Sequence, residues 1–146
     1  MDIEIFKMTE DELSSLAEIE KECFSLPWSE ASFREELDRD GSFFLVARLD
    51  GEIAGYVGLQ FVLDEGYITN VAVRRELRRR GVGKCLMESI IKIARDMPLS
   101  FVSLEVRESN FGAIALYEGL GFKTMGVRKD FYEKPRENGL IMTLFL

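Results

Sequence analysis

Histidine is absent from all 146 residues. That one gap removes serine–histidine and cysteine–histidine nucleophilic catalysis, together with the commonest metal ligand, so no metal site is expected. Acid–base chemistry must then rest on glutamate, aspartate, tyrosine, cysteine or lysine. Cysteine is scarce: Cys23 and Cys85 suit buried thiols in a reduced, cytoplasmic protein better than a disulfide framework. No apolar run approaches a membrane span, and Met1-Asp2-Ile3-Glu4 offers no basic region followed by an apolar stretch. Neither a signal peptide nor a membrane partner is expected. The 3 prolines, at positions 27, 98 and 135, stand between periodic segments, and linkers, repeats and low-complexity tracts are missing. With 47% apolar and 31% charged residues, the composition fits one domain over residues 1–146 with its own core.

What charge there is lies unevenly. Residues 1–40 hold 13 acidic and 4 basic side chains, a balance of −9, whereas the remaining 106 hold 13 and 15, a balance of +2. Within the second part, Arg74, Arg75, Arg78, Arg79, Arg80 and Lys84 fall in eleven positions. A solvated basic turn is one reading. A polyphosphate site beside an acidic surface suited to a basic partner is the other. A nucleic-acid binder would carry a broader basic surface, so that class is set aside.

Periodicity orders the elements. Residues 3–6 alternate as a first strand. Thr9 with Glu12 makes a capping box that opens a helix carrying Leu13, Leu16, Ile19 and Phe24 on one face. Pro27-Trp28-Ser29 ends it, and Ser29 caps a second, short helix with Phe33 and Leu37 one turn apart. Strands at 43–49 and 53–63 join through Asp50-Gly51, a hairpin signal, and Asp64-Glu65-Gly66 turns into a strand ending at Val73. Val82, Leu86, Ile90, Ile93 and Ala94 stripe a helix that stops before Pro98. A strand at 100–106, a helix at 110–120 with Gly121 beyond its end, and strands at 122–132 and 140–146 complete the order βααβββαβαββ. Such an order implies an α/β (α+β) domain, a mixed sheet packed by helices.

The most informative segment joins the strand ending at Val73 to the next helix through Arg78-x-x-Gly81-x-Gly83. A glycine turn feeding a helix start presents unpaired N–H groups and the positive end of the helix dipole, which suits a pyrophosphate. Two other nucleotide motifs fail here. A Walker A loop ending at Lys84 needs glycine at position 78, and the dinucleotide fingerprint needs glycine where Leu86 stands. A structural helix start is the plain alternative.

The pattern [Gln/Arg]-x-x-Gly-x-[Gly/Ala] resembles the acetyl-CoA pyrophosphate loop of the GNAT N-acetyltransferases. A second stretch, Leu104-Glu105-Val106-Arg107-Glu108-Ser109-Asn110 followed by Ala115-Leu116-Tyr117-Glu118-Gly119-Leu120-Gly121-Phe122, resembles their C-terminal half. Together with Pro27-Trp28-Ser29 and Leu63-Asp64-Glu65 it is most similar to the RimI-type ribosomal-protein alanine N-acetyltransferases. The resemblance spans nearly the whole chain. Leu77, where that family often has tyrosine, and the abrupt end of the last strand at Leu146 depart from it. It implies the GNAT fold, a mostly antiparallel sheet flanked by about four helices, with acetyl-CoA as cosubstrate. It implies transfer to the N-terminal α-amine of a basic ribosomal protein. Glu105 matches the family's base and Tyr117 its acid. Arg78, Arg79, Arg80, Gly81, Val82, Gly83 and Lys84 match the phosphate loop. Val71, Ala72 and Val73 would pair their backbone with the pantetheine arm, and Asn110 would touch the cofactor.

Chemistry accommodates those roles. Attack on a thioester needs a neutral amine and a proton for the departing thiolate, and an α-amine with a pKa of roughly 8 needs only a modest base. The amine itself attacks, so histidine is dispensable. Plainer readings stand beside each residue. Strand alternation could turn Glu105 to solvent, Tyr117 could be a packed tyrosine, and Asn110 could merely cap its helix. Phe24 and Trp28 either line an acceptor pocket or fill the core of the first helix pair. Tyr132 sits in a segment, 130–138, that reads as a mobile hairpin beside the acceptor. A lysine or small-molecule amine as acceptor, or a non-catalytic acyl-CoA-binding module, are the alternative functions.

Overall fold

In the computed structural model, which describes residues 2–146, the chain follows the order read from the sequence. It begins with β1 (Ile3–Lys7), α1 (Leu13–Cys23), α2 (Glu30–Leu37), β2 (Ser42–Leu49) and β3 (Glu52–Val62). It continues through β4 (Glu65–Val73), α3 (Val82–Asp96) and β5 (Phe101–Arg107), then α4 (Phe111–Gly119), β6 (Lys123–Tyr132) and β7 (Glu137–Phe145). The strands form one sheet in the order β1-β2-β3-β4-β5-β7-β6. Every neighbouring pair is antiparallel except β4–β5, which is parallel and joined through α3.

Local chemistry sets the boundaries. Thr9 and Glu12 close a capping box, the Thr9 N–H donating to Glu12 Oε1 at 2.7 Å, over a short 3₁₀ turn that runs into α1. Such a cap stabilises a helix start by about 1 kcal/mol. The Ser29 hydroxyl accepts from the Ser32 N–H at 3.1 Å and opens α2. Asp50 and Gly51 both take positive φ, 50° and 86°, as the tight hairpin between β2 and β3 requires. The next turn is shorter than expected. It uses Leu63 and Asp64, so Glu65 and Gly66 already belong to β4. Gly66 is buried, and a Cβ there would meet Leu99 Cδ1 at 3.0 Å, so this glycine serves close packing.

The two sheet faces carry separate cores. Leu13, Leu16 and Ile19 of α1 and Phe33 of α2 pack on Phe44, Val46 and Tyr56. On the opposite face, Leu86, Met87 and Ile90 of α3 and Tyr117 of α4 pack on Val57, Leu59, Ile68, Leu104 and Val106. Truncating any of the fully buried leucines to alanine costs about 2–5 kcal/mol. α1 ends at Cys23, so Phe24 lies beyond the helix in extended conformation and is exposed rather than part of the α1 core stripe.

Candidate active site

The parallel pairing of β4 and β5 is brief. It covers Glu65↔Phe101, Gly66↔Val102 and Tyr67↔Ser103 and then stops, while β5 stays paired with β7 as far as Arg107. Beyond Tyr67 and Ser103 the two strands part, and a cleft of ≈ 840 Å³ opens between them. A β-bulge in β4 helps: Val57 pairs with Val71 but Leu59 with Ile68, so Thr69 and Asn70 together oppose Gly58. The Arg74 N–H donates to Ala54 O at 2.8 Å. By antiparallel alternation, the main-chain groups of Ala72 then face β3, and those of Val71 and Val73 face the gap. One of these is taken, because the Val73 carbonyl accepts from Arg78 Nε at 3.0 Å and from the Cys23 thiol at 3.4 Å.

At the far end of β4 stands the glycine turn. Gly81 holds φ 83° at the N-cap of α3, and no side chain caps this helix. The first amide to find its helical acceptor is that of Cys85, bonded to Gly81 O at 3.0 Å, which leaves the N–H groups of Val82, Gly83 and Lys84 directed outward. A Cβ on Gly81 would meet nothing within 4 Å. On Gly83 it would make only ordinary contacts, 3.7 Å to Leu116 and 3.8 Å to Val73. The fold therefore leaves room around both glycines, and the outward amides with Arg79, Arg80 and Lys84 fit a pyrophosphate. Arg78 differs from its neighbours. Its guanidinium turns inward to Val73 O and the Cys23 sulfur.

The cleft gathers Glu105, Tyr117, Asn110, Val71, Phe24, Trp28 and Tyr132, which sequence reading selected from six separate segments. Glu105 alternates with the buried Leu104 and Val106, so its carboxylate leaves the α3 core and points to the α1 face. It is half-sheltered and not free in solvent: the side chain is 25% exposed. Oε1 pairs with Arg128 Nε at 3.0 Å, and Oε2 is buried without a hydrogen-bond partner. Tyr117 is buried at 5% exposure, its ring 5.9 Å from that of Phe122. Burial, with Tyr132 nearby, pushes its phenol far above the ordinary tyrosine range, so it stays protonated. Asn110 does cap α4, its Oδ1 accepting from the Ala113 N–H at 3.3 Å. Trp28 packs on Phe33 at 5.3 Å and on Phe44 at 6.0 Å, as its core reading expected, and also lines the cleft.

The 130–138 hairpin is tied down rather than loose. Arg107 donates to the carbonyls of Glu133 and Pro135, both at 2.9 Å, and lies over the Tyr132 ring at 4.5 Å. Asn138 Oδ1 accepts from the Asp130 N–H at 2.9 Å, and the Ser109 hydroxyl donates to the Glu137 carboxylate. Burial, and after it Glu105, push the Tyr132 phenol up to about 12 against the pull of Arg107.

Among the cleft residues that went unselected in the sequence, three hold the surrounding groups in place. Arg128 sits on β6 and reaches Glu105 across β7, a relation that only strand order reveals. Arg107 was legible as part of a motif but not as the anchor of the hairpin. Glu20 carried a signal: it falls one helical turn after Leu16, on the buried face of α1. Its carboxylate accepts from the Trp28 N–H at 2.8 Å, from the Asn70 amide at 3.3 Å and from the Tyr56 hydroxyl.

Comparison with known proteins agrees with this fold. The sequence pattern of the Acetyltransferase (GNAT) family matches residues 13–122. The [ribosomal protein bS18]-alanine N-acetyltransferase of Escherichia coli K12 is 36% identical over 137 residues, covering 91% of this chain and 90% of that protein. The crystal structure of the ribosomal-protein-S18-alanine N-acetyltransferase from Escherichia coli superposes with a TM-score of 0.91 at 32% identity, covering 99% of this chain and 94% of that one. Arabidopsis thaliana NAA60 in complex with acetyl-CoA shares the fold, with a TM-score of 0.88 at 22% identity over 99% of this chain and 100% of that one.

Proposed function

The chain belongs to the GNAT acetyltransferase family, and on that premise we propose that it moves the acetyl group of acetyl-CoA to the N-terminal α-amine of a protein. The acceptor in this reading is the N-terminal alanine of ribosomal protein bS18, on which the Escherichia coli relative acts by name. The observation that carries the chemistry is Glu105 Oε2, a buried, unpartnered carboxylate oxygen in the cleft where β4 and β5 part.

Acetyl-CoA supplies an activated acyl carbon with a thiolate leaving group. The chain supplies the rest. Arg79, Arg80, Lys84 and the amides of Val82 and Gly83 hold the pyrophosphate at the start of α3. The gap-facing main chain of Val71, with the Val73 N–H, aligns the pantetheine arm as a strand would be aligned. Glu105 takes the proton from the acceptor's ammonium and exposes the nitrogen lone pair. Arg128 keeps Oε1 occupied, which leaves the unpartnered Oε2 to take the proton. The Tyr117 phenol holds its proton too firmly to release it early. It donates a hydrogen bond to the sulfur as charge gathers there. Phe24, Trp28 and Tyr132 wall the acceptor's approach, and the acidic N-terminal third favours a basic protein.

The test is thiol release from acetyl-CoA with a peptide beginning Ala-Arg, beside the same peptide with a blocked N-terminus. Turnover with the free N-terminus alone is expected. Equal turnover with both would move the acceptor to a lysine side chain, and no turnover with either would remove the protein acceptor.

A further inference from the structure

Among the described residues, two buried side-chain polar atoms lack a hydrogen-bond partner, Thr69 Oγ1 and Glu105 Oε2. They belong to different strands yet line the same cleft. Register explains the coincidence. The last β4–β5 pair is Tyr67↔Ser103, so two residues further along Thr69 stands opposite Glu105, on the same face of the sheet. Ile68 packs into the α3 core as Leu104 does, which turns both Thr69 and Glu105 to the other side. The bulge sets Thr69 over Gly58, where a Cβ would come within 2.6 Å of Oγ1 and 2.4 Å of the Phe44 ring. Behind the hydroxyl there is thus an apolar ring and a glycine, with nothing to bond. Register leaves Glu105 as the polar side chain across from it.

We propose that Thr69 is a positioning residue, holding together with Glu105 Oε2 the one water through which the acceptor's ammonium proton leaves. The inference rests on Glu105 being the base. Two hydrogen bonds of about 2.8 Å span up to roughly 5 Å, which suits strands just parting from a spacing of about 4.8 Å. The valences close. The Thr69 O–H donates to one lone pair of the water, and the acceptor N–H donates to the other. One water O–H donates to Glu105 Oε2, which can only accept. On reaction the ammonium gives its proton to the water while the water gives a different proton to Oε2. The amine ends neutral, Glu105 ends as the acid, and the water is regenerated. Without the Thr69 hydroxyl the water has one anchor and no fixed orientation.

Thr69→Val keeps the side-chain shape and removes the hydroxyl, and Thr69→Ser keeps the hydroxyl. For Thr69→Val we expect kcat to fall roughly tenfold, KM for acetyl-CoA to stay unchanged, and Tm to change little, because the side-chain shape is kept and only one water-mediated bond is lost. Thr69→Ser should restore most of the rate. Two results would overturn the inference while leaving Glu105 as the base: a wild-type kcat in Thr69→Val beside an inactive Glu105→Gln, or loss of rate in both Thr69 variants with lowered Tm, which marks packing alone. An active Glu105→Gln would overturn the base and this water together.

Discussion

The two walls of the cleft are built from different material. On the β4–α3 side the contacts offered to a ligand are mainly main-chain: the gap-facing groups of Val71, the Val73 N–H, the outward amides at the start of α3, and two glycines with open space around them, with Arg79, Arg80 and Lys84 adding charge at the turn. On the β5–β6 side they are side chains, Glu105 held by Arg128, with Tyr117 and Tyr132 behind. The division suits the two tasks. A long polyphosphate-bearing chain is gripped at many points by groups whose positions the fold already fixes, whereas proton transfer needs one titratable atom correctly aimed. Away from its basic side chains, the first wall should therefore tolerate side-chain exchange and resist added bulk. The second should behave in the opposite way.

Glu105→Gln gives the largest contrast. It keeps shape and a bond to Arg128 but loses the base, so kcat should fall by about 10²-fold or more while acetyl-CoA binding, measured by calorimetry, stays as in the wild type. Gly83→Trp should do the reverse, weakening acetyl-CoA by about tenfold, near 1.4 kcal/mol, because the space beside Leu116 and Val73 is then filled. Unchanged affinity in a folded Gly83→Trp protein would erase the distinction between the walls. Arg128→Ala tests whether the second wall needs its support. The Arg128–Glu105 pair is 57% and 25% exposed, so its loss should move stability by less than about 1 kcal/mol. The rate should drop severalfold, roughly as one charge-assisted bond is lost. A fall in Tm with an unchanged rate would make Arg128 structural.

The same division explains what the sequence could disclose. The glycine turn was readable because a sharp turn into a helix leaves a mark in residue type: glycine where φ is positive, followed at once by a helical stripe. Element order was readable because periodicity and capping are local, as Thr9, Ser29 and Asp50-Gly51 show. The partners of Glu105 were not. Arg128 reaches it because β7 inserts between β5 and β6, so the meeting is decided by strand order and not by any spacing along the chain. Arg107 was one letter in a motif until the hairpin closed over it. Thr69 became notable only once the bulge and the end of the parallel ladder placed it opposite Glu105.

Glu20 is the exception that sharpens the comparison, since it is a side-chain device on the main-chain wall. Its buried carboxylate ties the Trp28 amide to Asn70 of β4, joining the segment after α1 to the strand that borders the cleft. Burial raises its pKa above the ordinary 4.5, and the bonds from Trp28, Tyr56 and Asn70 only partly oppose the rise. The folded protein therefore holds this proton to a higher pH than the unfolded chain does. The stability linked to it is complete below about 4.5 and is lost as pH rises through the folded value. Glu20→Gln abolishes that titration. The Tm of the wild type should thus gain on that of the variant as the buffer is taken from neutral toward pH 4.5. The expected effect is the smallest of the set, since one partly compensated group is involved. A Tm difference that stays flat across that range would mean that Glu20 is charged in both states, and that the clamp is a carboxylate accepting charge-assisted bonds from neutral donors.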